Sequence, residues 1–375
     1  MKTLNIYTIS IFLILALAGC QKDDITDEND SDSSTQPNVP NLPDEDEDED
    51  TDAEWLIPKD EVVDGGPGKD GIAALTNPEK VSISDITYLS DDDLVLGFVN
   101  QDYTIAYPHP ILDWHEIINA NVGSRSISII YCPLTGTGIG WDRIINGQET
   151  TFGVSGLLYK SNLIPYDRLT NSNWSQMLLK SVNGSLIGTQ SKNYTLFETT
   201  YKTWKEMYPN SLIVSTNTGY QRNYSQYPYG TYKTNHDLIL FPTGKKDHRL
   251  NAKDRVLVVF HNEAKKAFGF NSFSNNISII EDKIDNTDFI IVGSKDHNFI
   301  VAFKSSHMGD PLTFSPLQLN FPAIMIDHEG TSWDAFGRGI SGPREGQQLE
   351  KATQFIGYWF ALSSFYLRLE LHSDN

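Results

Sequence analysis

The chain has 375 residues, 39% of them hydrophobic, and a formal net charge of −20 at pH 7. Residues 21–54 carry −14 of that charge, which leaves −7 on residues 55–375. A body with this ordinary acidic surface and no basic stripe excludes nucleic acid as a partner. With only two cysteines, Cys20 and Cys132, a disulfide-stapled scaffold is excluded as well.

The first twenty residues have the layout of a bacterial lipoprotein signal. Lys2 precedes a short apolar run that closes on Leu17-Ala18-Gly19-Cys20. The run is too short to span a bilayer, so it predicts a cleaved signal peptide over residues 1–19 and an acylated Cys20. Gln21-Lys22-Asp23-Asp24 resembles the surface-export signal of Bacteroidota lipoproteins. We therefore expect an outer-membrane lipoprotein exposed at the cell surface, with the periplasmic face as the alternative.

Residues 20–54 predict an acidic, disordered tether. Fifteen of residues 21–54 are acidic and one is lysine. The segment has too few large apolar side chains to fold, and its like charges extend it. Each methylene of an acyl chain on Cys20 contributes about 0.8 kcal/mol when buried, so the membrane is a predicted partner through this anchor.

Strand patterns dominate the body. Alternating or β-branched runs bounded by turn residues predict strands, and Asn146-Gly147 favours the type I′ turn of a hairpin. The predicted strands cover residues 94–99, 103–107, 126–132, 139–145, 149–154, 256–261, 267–270, 289–292 and 299–303. Helical patterns are fewer, at 111–119, 201–208 and 358–366. The predicted class is α+β with mostly antiparallel sheet.

Two parts of the body carry an aspartate, a tryptophan and two glycines in the same order, each followed by an aromatic helical segment. The two sets are Asp167, Trp174, Gly184 and Gly188, and Asp327, Trp333, Gly342 and Gly346. Both glycine pairs are 158 positions apart and the aspartates 160. Equal offsets favour an internal duplication. It predicts two related half-domains, residues 55–235 and 236–375, with a cleft at their interface.

Several motifs of the body resemble those of one family. They are Asp70-Gly71-Ile72, Trp114-His115-Glu116-Ile117, Tyr131-Cys132-Pro133-Leu134, Phe152-Gly153-Val154-Ser155-Gly156 and Gly330-Thr331-Ser332-Trp333. Residues 70–366 are thereby similar to the bacterial and archaeal domain of unknown function 3179 family. The resemblance implies no established activity. It implies a Cys-Pro-Leu-Cys pattern in many members, and Thr135 takes the second cysteine's place here, which removes two-cysteine redox chemistry.

Cys132, His115 and His109 form the first candidate site. A thiolate and imidazoles are ligands that copper and zinc favour, so their convergence would make a metal site. A nucleophilic Cys132 with His115 as its base is a second interpretation, although Pro133 lacks the amide that often serves as an oxyanion donor. The alternative is an inert buried thiol beside a histidine held by a core hydrogen bond.

Carboxylates suggest a second kind of site. Asp142, Asp167 and Asp327 would supply acid and base groups for a carbohydrate-active enzyme, with Trp174 and Trp333 as sugar platforms. The duplication favours a structural alternative, in which each aspartate caps a turn and each indole fills a core.

A tyrosine-rich loop is a candidate recognition surface. Its members are Tyr220, Tyr224, Tyr227, Tyr229 and Tyr232. Tyrosines offer large contact area at small entropic cost, as recognition loops do. The alternative is a loop packed on the body with its hydroxyls bonded locally.

The sequence as a whole favours a lipid-anchored envelope or surface protein that acts as a binding or scaffold module. A metal-handling or thiol-dependent protein and a carbohydrate-active enzyme are the alternatives. No motif establishes a catalytic residue or a cofactor, and the ligand is not specified.

Overall fold

A computed structural model describes residues 54–100 and 102–373 of the chain. The predicted signal peptide, Cys20 and the tether up to residue 53 lie outside the described residues. Within the described part, no helix has the length and apolar character needed to cross a membrane. The described residues belong to one compact unit, Thr51–Asn375.

The first half of the body holds strands β1–β17 and helices α1 and α2. Their bounds are β1 Val62–Asp64, β2 Leu75–Thr76, β3 Lys80–Ser82, β4 Leu94–Val99, β5 Thr104–Pro108, α1 His109–His115, β6 Ile117–Val122, β7 Arg125–Cys132, β8 Thr137–Asp142, β9 Ile144–Ile145, β10 Gln148–Glu149, β11 Phe152–Tyr159, β12 Asn162–Asp167, β13 Asn173–Ser175, β14 Lys180–Asn183, β15 Asn193–Tyr194, β16 Phe197–Thr200, α2 Tyr201–Met207 and β17 Leu212–Val214.

The second half holds strands β18–β30 and helix α3. Their bounds are β18 Arg255–His261, β19 Ala264–Gly269, β20 Ser278–Ile284, β21 Thr287–Ser294, β22 Phe299–Lys304, β23 Ser306–His307, β24 Asp310–Pro311, β25 Phe314–Pro316, β26 Ala323–Asp327, β27 Ser332–Asp334, β28 Gly339–Ser341, β29 Thr353–Tyr358, α3 Trp359–Phe365 and β30 Glu370–Leu371. Short 3-10 turns lie at Lys59–Glu61, Ile83–Asp85 and Phe270–Ser272.

The α+β class with mostly antiparallel sheet is confirmed. Pairing is antiparallel in nearly all the ladders, and helices are short. The predicted hairpins at 94–107 and 289–303 form as β4 with β5 and β21 with β22. The predicted helices at 201–208 and 358–366 form as α2 and α3.

The long hairpin predicted around Asn146-Gly147 is wrong. Both residues of the dipeptide have positive φ, 50° and 80°, but their turn joins only the two-residue strands β9 and β10. β8 pairs with β7, and β11 pairs with β12. The reason is that β8 and β11 form longer ladders with β7 and β12, which leaves only Ile144–Ile145 and Gln148–Glu149 to pair with each other. Beside this short hairpin the Thr150 amide donates to the Arg143 carbonyl at 2.8 Å.

The helix predicted at 111–119 is also wrong in its bounds. It begins at His109, because Pro110 suits the first turn of a helix. It ends at His115, and the chain passes through Glu116, whose φ is +57°, into β6. Ile117 pairs with Ile130 of β7, and burial of these β-branched side chains in a sheet outweighs the local helical pattern.

The same strand order recurs in the two halves. One sheet runs β16-β4-β5-β17 with β3 at its edge, and its counterpart runs β29-β18-β19-β30. In both, the last of these strands pairs in parallel with the second strand of a hairpin. β11-β12-β13-β14 likewise corresponds to β25-β26-β27-β28. This recurrence is what a duplication predicts, and duplication itself stays a prediction.

The halves share a core and are joined by residues 215–254, which contain no strand or helix. Trp141 and Ile130 of the first half lie in one hydrophobic cluster with Val258 and Phe355 of the second. The Tyr358 amide also donates to the Thr135 carbonyl at 2.7 Å. The predicted boundary between residues 235 and 236 falls inside this joining segment.

Candidate functional site

Helix α1 and the residue after it present a buried polar face. His109, Asp113 and Glu116 are spaced i, i+4 and i+7, which places them on one side of a helix. Their exposed fractions are only 6%, 4% and 6%. Glu116 completes the face in a left-handed backbone conformation that is uncommon outside glycine. Three titratable side chains on α1 and the residue after it are thus held away from water.

Two of these side chains are much weaker acids than an exposed carboxyl. Burial raises the pKa of Asp113 to about 7, although nearby Lys233 lowers it. Burial raises the pKa of Glu116 to about 8 against the opposing effect of a hydrogen bond from Tyr229. Because the carboxyl form of Glu116 predominates at pH 7, this side chain is a hydrogen-bond donor as well as an acceptor.

His109 lies in a buried charge network that joins the halves. Its Nε2 is 3.2 Å from Glu198 Oε2, without the alignment of a hydrogen bond. The Arg255 guanidinium of β18 contacts the other Glu198 oxygen and donates to Asn298 Oδ1 at 2.6 Å. Burial raises the pKa of Glu198, but Arg255 and His109 outweigh it and hold the pKa at about 2. Glu198 is therefore ionised and pairs with Arg255 across the interface.

The tyrosine-rich loop packs against this region. The Tyr224 hydroxyl lies 2.7 Å from His115 Nε2, and Tyr232 donates to the Leu134 carbonyl at 2.9 Å. Tyr229 bonds Glu116, whereas the buried Tyr227 hydroxyl has no hydrogen-bond partner among the described residues. Tyr220 stays 44% exposed, with its ring centroid 5.3 Å from that of His115.

A cavity of about 400 Å³ opens beside Glu116, and we call it the Glu116 cavity. Its walls include Leu134, Val154, Leu163 and Phe241, and the polar side chains that line it are those of Glu116 and Tyr229. An apolar space with one protonated carboxyl is suited to a ligand that is mostly apolar and carries a hydrogen-bond acceptor.

The Cys132 thiol and the His115 and His109 imidazoles each have contacts of their own. Cys132 is 1% exposed, its Sγ lies 3.7 Å from the Ser161 carbonyl oxygen, and burial together with Glu116 raises its pKa to about 11. His115 uses both ring nitrogens, with Nδ1 2.7 Å from the Ala73 oxygen. His109 and His115 lie at opposite ends of α1, about 9 Å apart along its axis.

No group of three or more His, Cys, Asp or Glu side chains in the described part of the chain is arranged to hold a metal ion. The metal hypothesis for Cys132, His115 and His109 stays a prediction. The raised pKa of the Cys132 thiol means that little thiolate is present at neutral pH to serve as ligand or nucleophile.

The two Asp-Trp units have matching contacts. Trp174 Nε1 donates to Asp167 Oδ2 at 3.0 Å, and Trp333 Nε1 donates to Asp327 Oδ2 at 2.9 Å. The other carboxylate oxygen of each aspartate accepts a hydrogen bond from a backbone amide. In the first half this amide is that of Thr170. Both indoles are at most 1% exposed, so neither has a face open to a sugar.

The glycines of the two units also match. Gly184 and Gly342 have φ of +91° and +97°, and Gly188 and Gly346 have +84° and +80°. A Cβ on Gly184 would come within 2.8 Å of Ser172, and one on Gly342 within 2.5 Å of the Gly330 oxygen. These positions therefore require glycine for the turn itself.

Asp142 is part of neither Asp-Trp unit. Its Oδ2 accepts from Lys192 Nζ at 2.7 Å and from the Tyr194 hydroxyl at 2.9 Å. No second carboxylate is paired with it among the described contacts.

Sequence reasoning missed Asp113, Glu116, Glu198 and Arg255 as site residues. The spacing of His109, Asp113 and Glu116 was the available signal, because three polar residues on one face of an otherwise apolar helix mark a polar environment. Glu198 and Arg255 gave no such signal, since they come from distant strands.

Residues 69–368 match the family described as Protein of unknown function (DUF3179). No curated protein and no solved structure matches the chain.

Proposed function

The chain belongs to the family of proteins of unknown function (DUF3179), and we propose that it is an exported, lipid-anchored protein that binds a small, largely apolar ligand. The Glu116 cavity carries the binding part of this proposal. Its volume of about 400 Å³ falls in the range of small-molecule pockets, and its lining is apolar apart from Glu116 and Tyr229.

The buried carboxyl gives the cavity its selectivity. Burial raises the pKa of Glu116 to about 8, so at neutral pH the proton is available to a carbonyl or ether oxygen of the ligand. A purely hydrocarbon ligand would leave the carboxyl without an added partner and would bind less tightly.

The anchor part of the proposal is supported by Leu17-Ala18-Gly19-Cys20 and by the acidic tether that follows. An acylated Cys20 would hold the binding body at the outer membrane, and the tether would set its distance from the lipid surface. Surface exposure is the proposed orientation.

Ligand binding is tested with 6-propionyl-2-(dimethylamino)naphthalene, a neutral fluorescent probe that carries a carbonyl oxygen, and an unlipidated chain of residues 20–375 with Cys20→Ser. Leu157 lines the cavity, so Leu157→Trp would fill part of it. Leu212→Trp, at a site 39% exposed and away from the cavity, is the matched control. We expect saturable binding that weakens at least tenfold in Leu157→Trp only. Absence of saturable binding to the folded chain would contradict the proposal.

The anchor is tested by labelling cells with palmitate. We expect label on the full chain and none on Cys20→Ser, which should also leave the membrane fraction. A labelled or membrane-bound Cys20→Ser chain would rule out this residue as the anchor.

A further inference from the structure

A second cavity, of about 530 Å³, concentrates positive charge on a protein that is acidic as a whole. We call it the basic cavity. Its basic lining residues are Lys233, His236, Lys253, Arg255, Lys295 and His372. Asp254 is the acidic residue in its lining. A concave surface lined by one sign of charge focuses the electrostatic potential and draws ligands of the opposite sign.

Several of these cations are not neutralised by a carboxylate. Lys253 Nζ donates to the backbone carbonyls of Tyr232 and Leu238, the latter at 2.7 Å. The contacts of the described residues include no ion pair between a carboxylate and Lys233 or Lys295. Lys233 Nζ lies 4.4 Å from the centroid of the Tyr227 ring, and its charge lowers the pKa of the buried Asp113. The cavity therefore offers ammonium groups to a ligand, whereas Arg255 is already paired with Glu198.

The rest of the lining suits a hydroxylated molecule. Asn271, Ser272 and Thr234 bring hydroxyl and amide groups to the cavity, and Phe270 brings an aromatic ring. The Arg255 guanidinium lies 4.8 Å from the centroid of that ring, over one of its faces, which leaves the other face for a ligand. Polar groups beside an aromatic face can hydrogen-bond and stack a sugar ring, and the cavity is larger than an inorganic oxyanion needs.

We propose that the basic cavity binds a small sugar that carries a phosphate or sulfate group, with Lys233 and Lys295 contacting the oxyanion. Recognition of the oxyanion rests on the two unpaired ammonium groups, and recognition of the sugar rests on Phe270 and the neighbouring polar side chains. This site is separate from the Glu116 cavity and does not depend on the function proposed for it.

The test is isothermal titration calorimetry of the full chain in a non-ionic detergent with glucose 6-phosphate, glucose 6-sulfate, inorganic phosphate and glucose. We expect at least one of the two sugar esters to bind tenfold or more tightly than inorganic phosphate and glucose, and this affinity to fall as salt rises. The two esters distinguish a phosphate from a sulfate as the oxyanion. If neither ester binds more tightly than both fragments, the proposal is wrong.

Variants assign the binding to the cavity. The double variant Lys233→Gln with Lys295→Gln should weaken the tighter ester at least tenfold. Lys202→Gln with Lys245→Gln removes the same charge from exposed positions that do not line the cavity, and should change affinity less than twofold. Equal weakening by the two double variants would mean that general charge, not the basic cavity, attracts the ligand, and would overturn the proposal.

Discussion

The two halves of the body share a strand order but differ in the connection that follows their first hairpin. In the first half, α1 joins β5 to β6 and carries a buried polar face. In the second half, β19 leads to β20 through the 3-10 turn Phe270–Ser272, none of whose residues is buried. The Asp-Trp units and their glycines, by contrast, recur in both.

This difference separates residues that build the scaffold from residues that carry chemistry. A contact present in both halves serves the fold that both halves need. His109, Asp113 and Glu116 have no counterpart in the second connection, which has the same length but no α-helix, so the common scaffold does not require them. The two connections also line different cavities: Glu116 of the first lines the Glu116 cavity, and Phe270 and Ser272 of the second line the basic cavity.

The largest effect is expected where the halves meet. Glu198→Ala removes the carboxylate that pairs with the partly buried Arg255 guanidinium. Loss of this partner should lower the free energy of unfolding by about 3–5 kcal/mol. Urea denaturation measures this change in the free energy of unfolding. The double variant Glu198→Leu with Arg255→Met removes both charges and should recover much of the loss. A loss below about 1 kcal/mol would mean that this ion pair does not join the halves.

The next effect tests the equivalence of the two Asp-Trp units. Asp167→Ala and Asp327→Ala each leave a buried indole N–H and backbone amides without an acceptor, at a cost of roughly 2–4 kcal/mol each. The two losses should agree within about 1 kcal/mol by thermal or urea unfolding. Asp310→Ala, at an exposed site, is the control. Strongly unequal losses would show that the units are not equivalent.

The smallest effect is a decrease of stability as pH rises near neutrality, which Glu116 and Asp113 of the first half should supply. The pKa of Glu116 is raised from 4.5 to about 8 on folding, so its contribution to stability is complete below pH 4.5 and is lost as pH rises to 8. Each such group lowers the free energy of unfolding by about 1.4 kcal/mol per pH unit within its window. Between pH 6.5 and 7.5 we expect Glu116→Gln to remove about 1 kcal/mol of the decrease seen in the unmodified chain.

Asp113→Asn gives the matched comparison. The pKa of Asp113 is raised to about 7, so this variant should flatten the curve below pH 7 and leave the part between pH 7 and 8. Histidines with lowered pKa, such as His109, act in the opposite direction below pH 6.5, which is why the window begins there. An unchanged slope in Glu116→Gln would mean that Glu116 is ionised in the folded protein.

Local patterns predicted much of the fold. Alternation and β-branched residues located β4, β7 and β21, because side chains on a half-buried strand must alternate. The same patterns failed at residues 117–122, where pairing of Ile117 with Ile130 decides the conformation. They failed again at residues 139–154, where β8 pairs with β7 and β11 pairs with β12 instead of with each other. Contacts between residues far apart in sequence have no local signature.

The candidate site was predicted less completely. His109 and His115 were identified by residue type, but residue type does not show that the His115 nitrogens bond Ala73 and Tyr224. The raised pKa values of Asp113 and Glu116 result from burial, which depends on the packing of the joining segment over α1. Spacing shows that these side chains share a face, and only the tertiary structure shows what covers it.

The joining segment, residues 215–254, lines both cavities. Tyr229 and Phe241 line the Glu116 cavity, and Lys233 and His236 line the basic cavity. Segments outside sheets accept substitution, insertion and deletion more readily than paired strands do. Exchange of this one segment between related chains would therefore change the lining of both cavities together and leave the double-half scaffold in place.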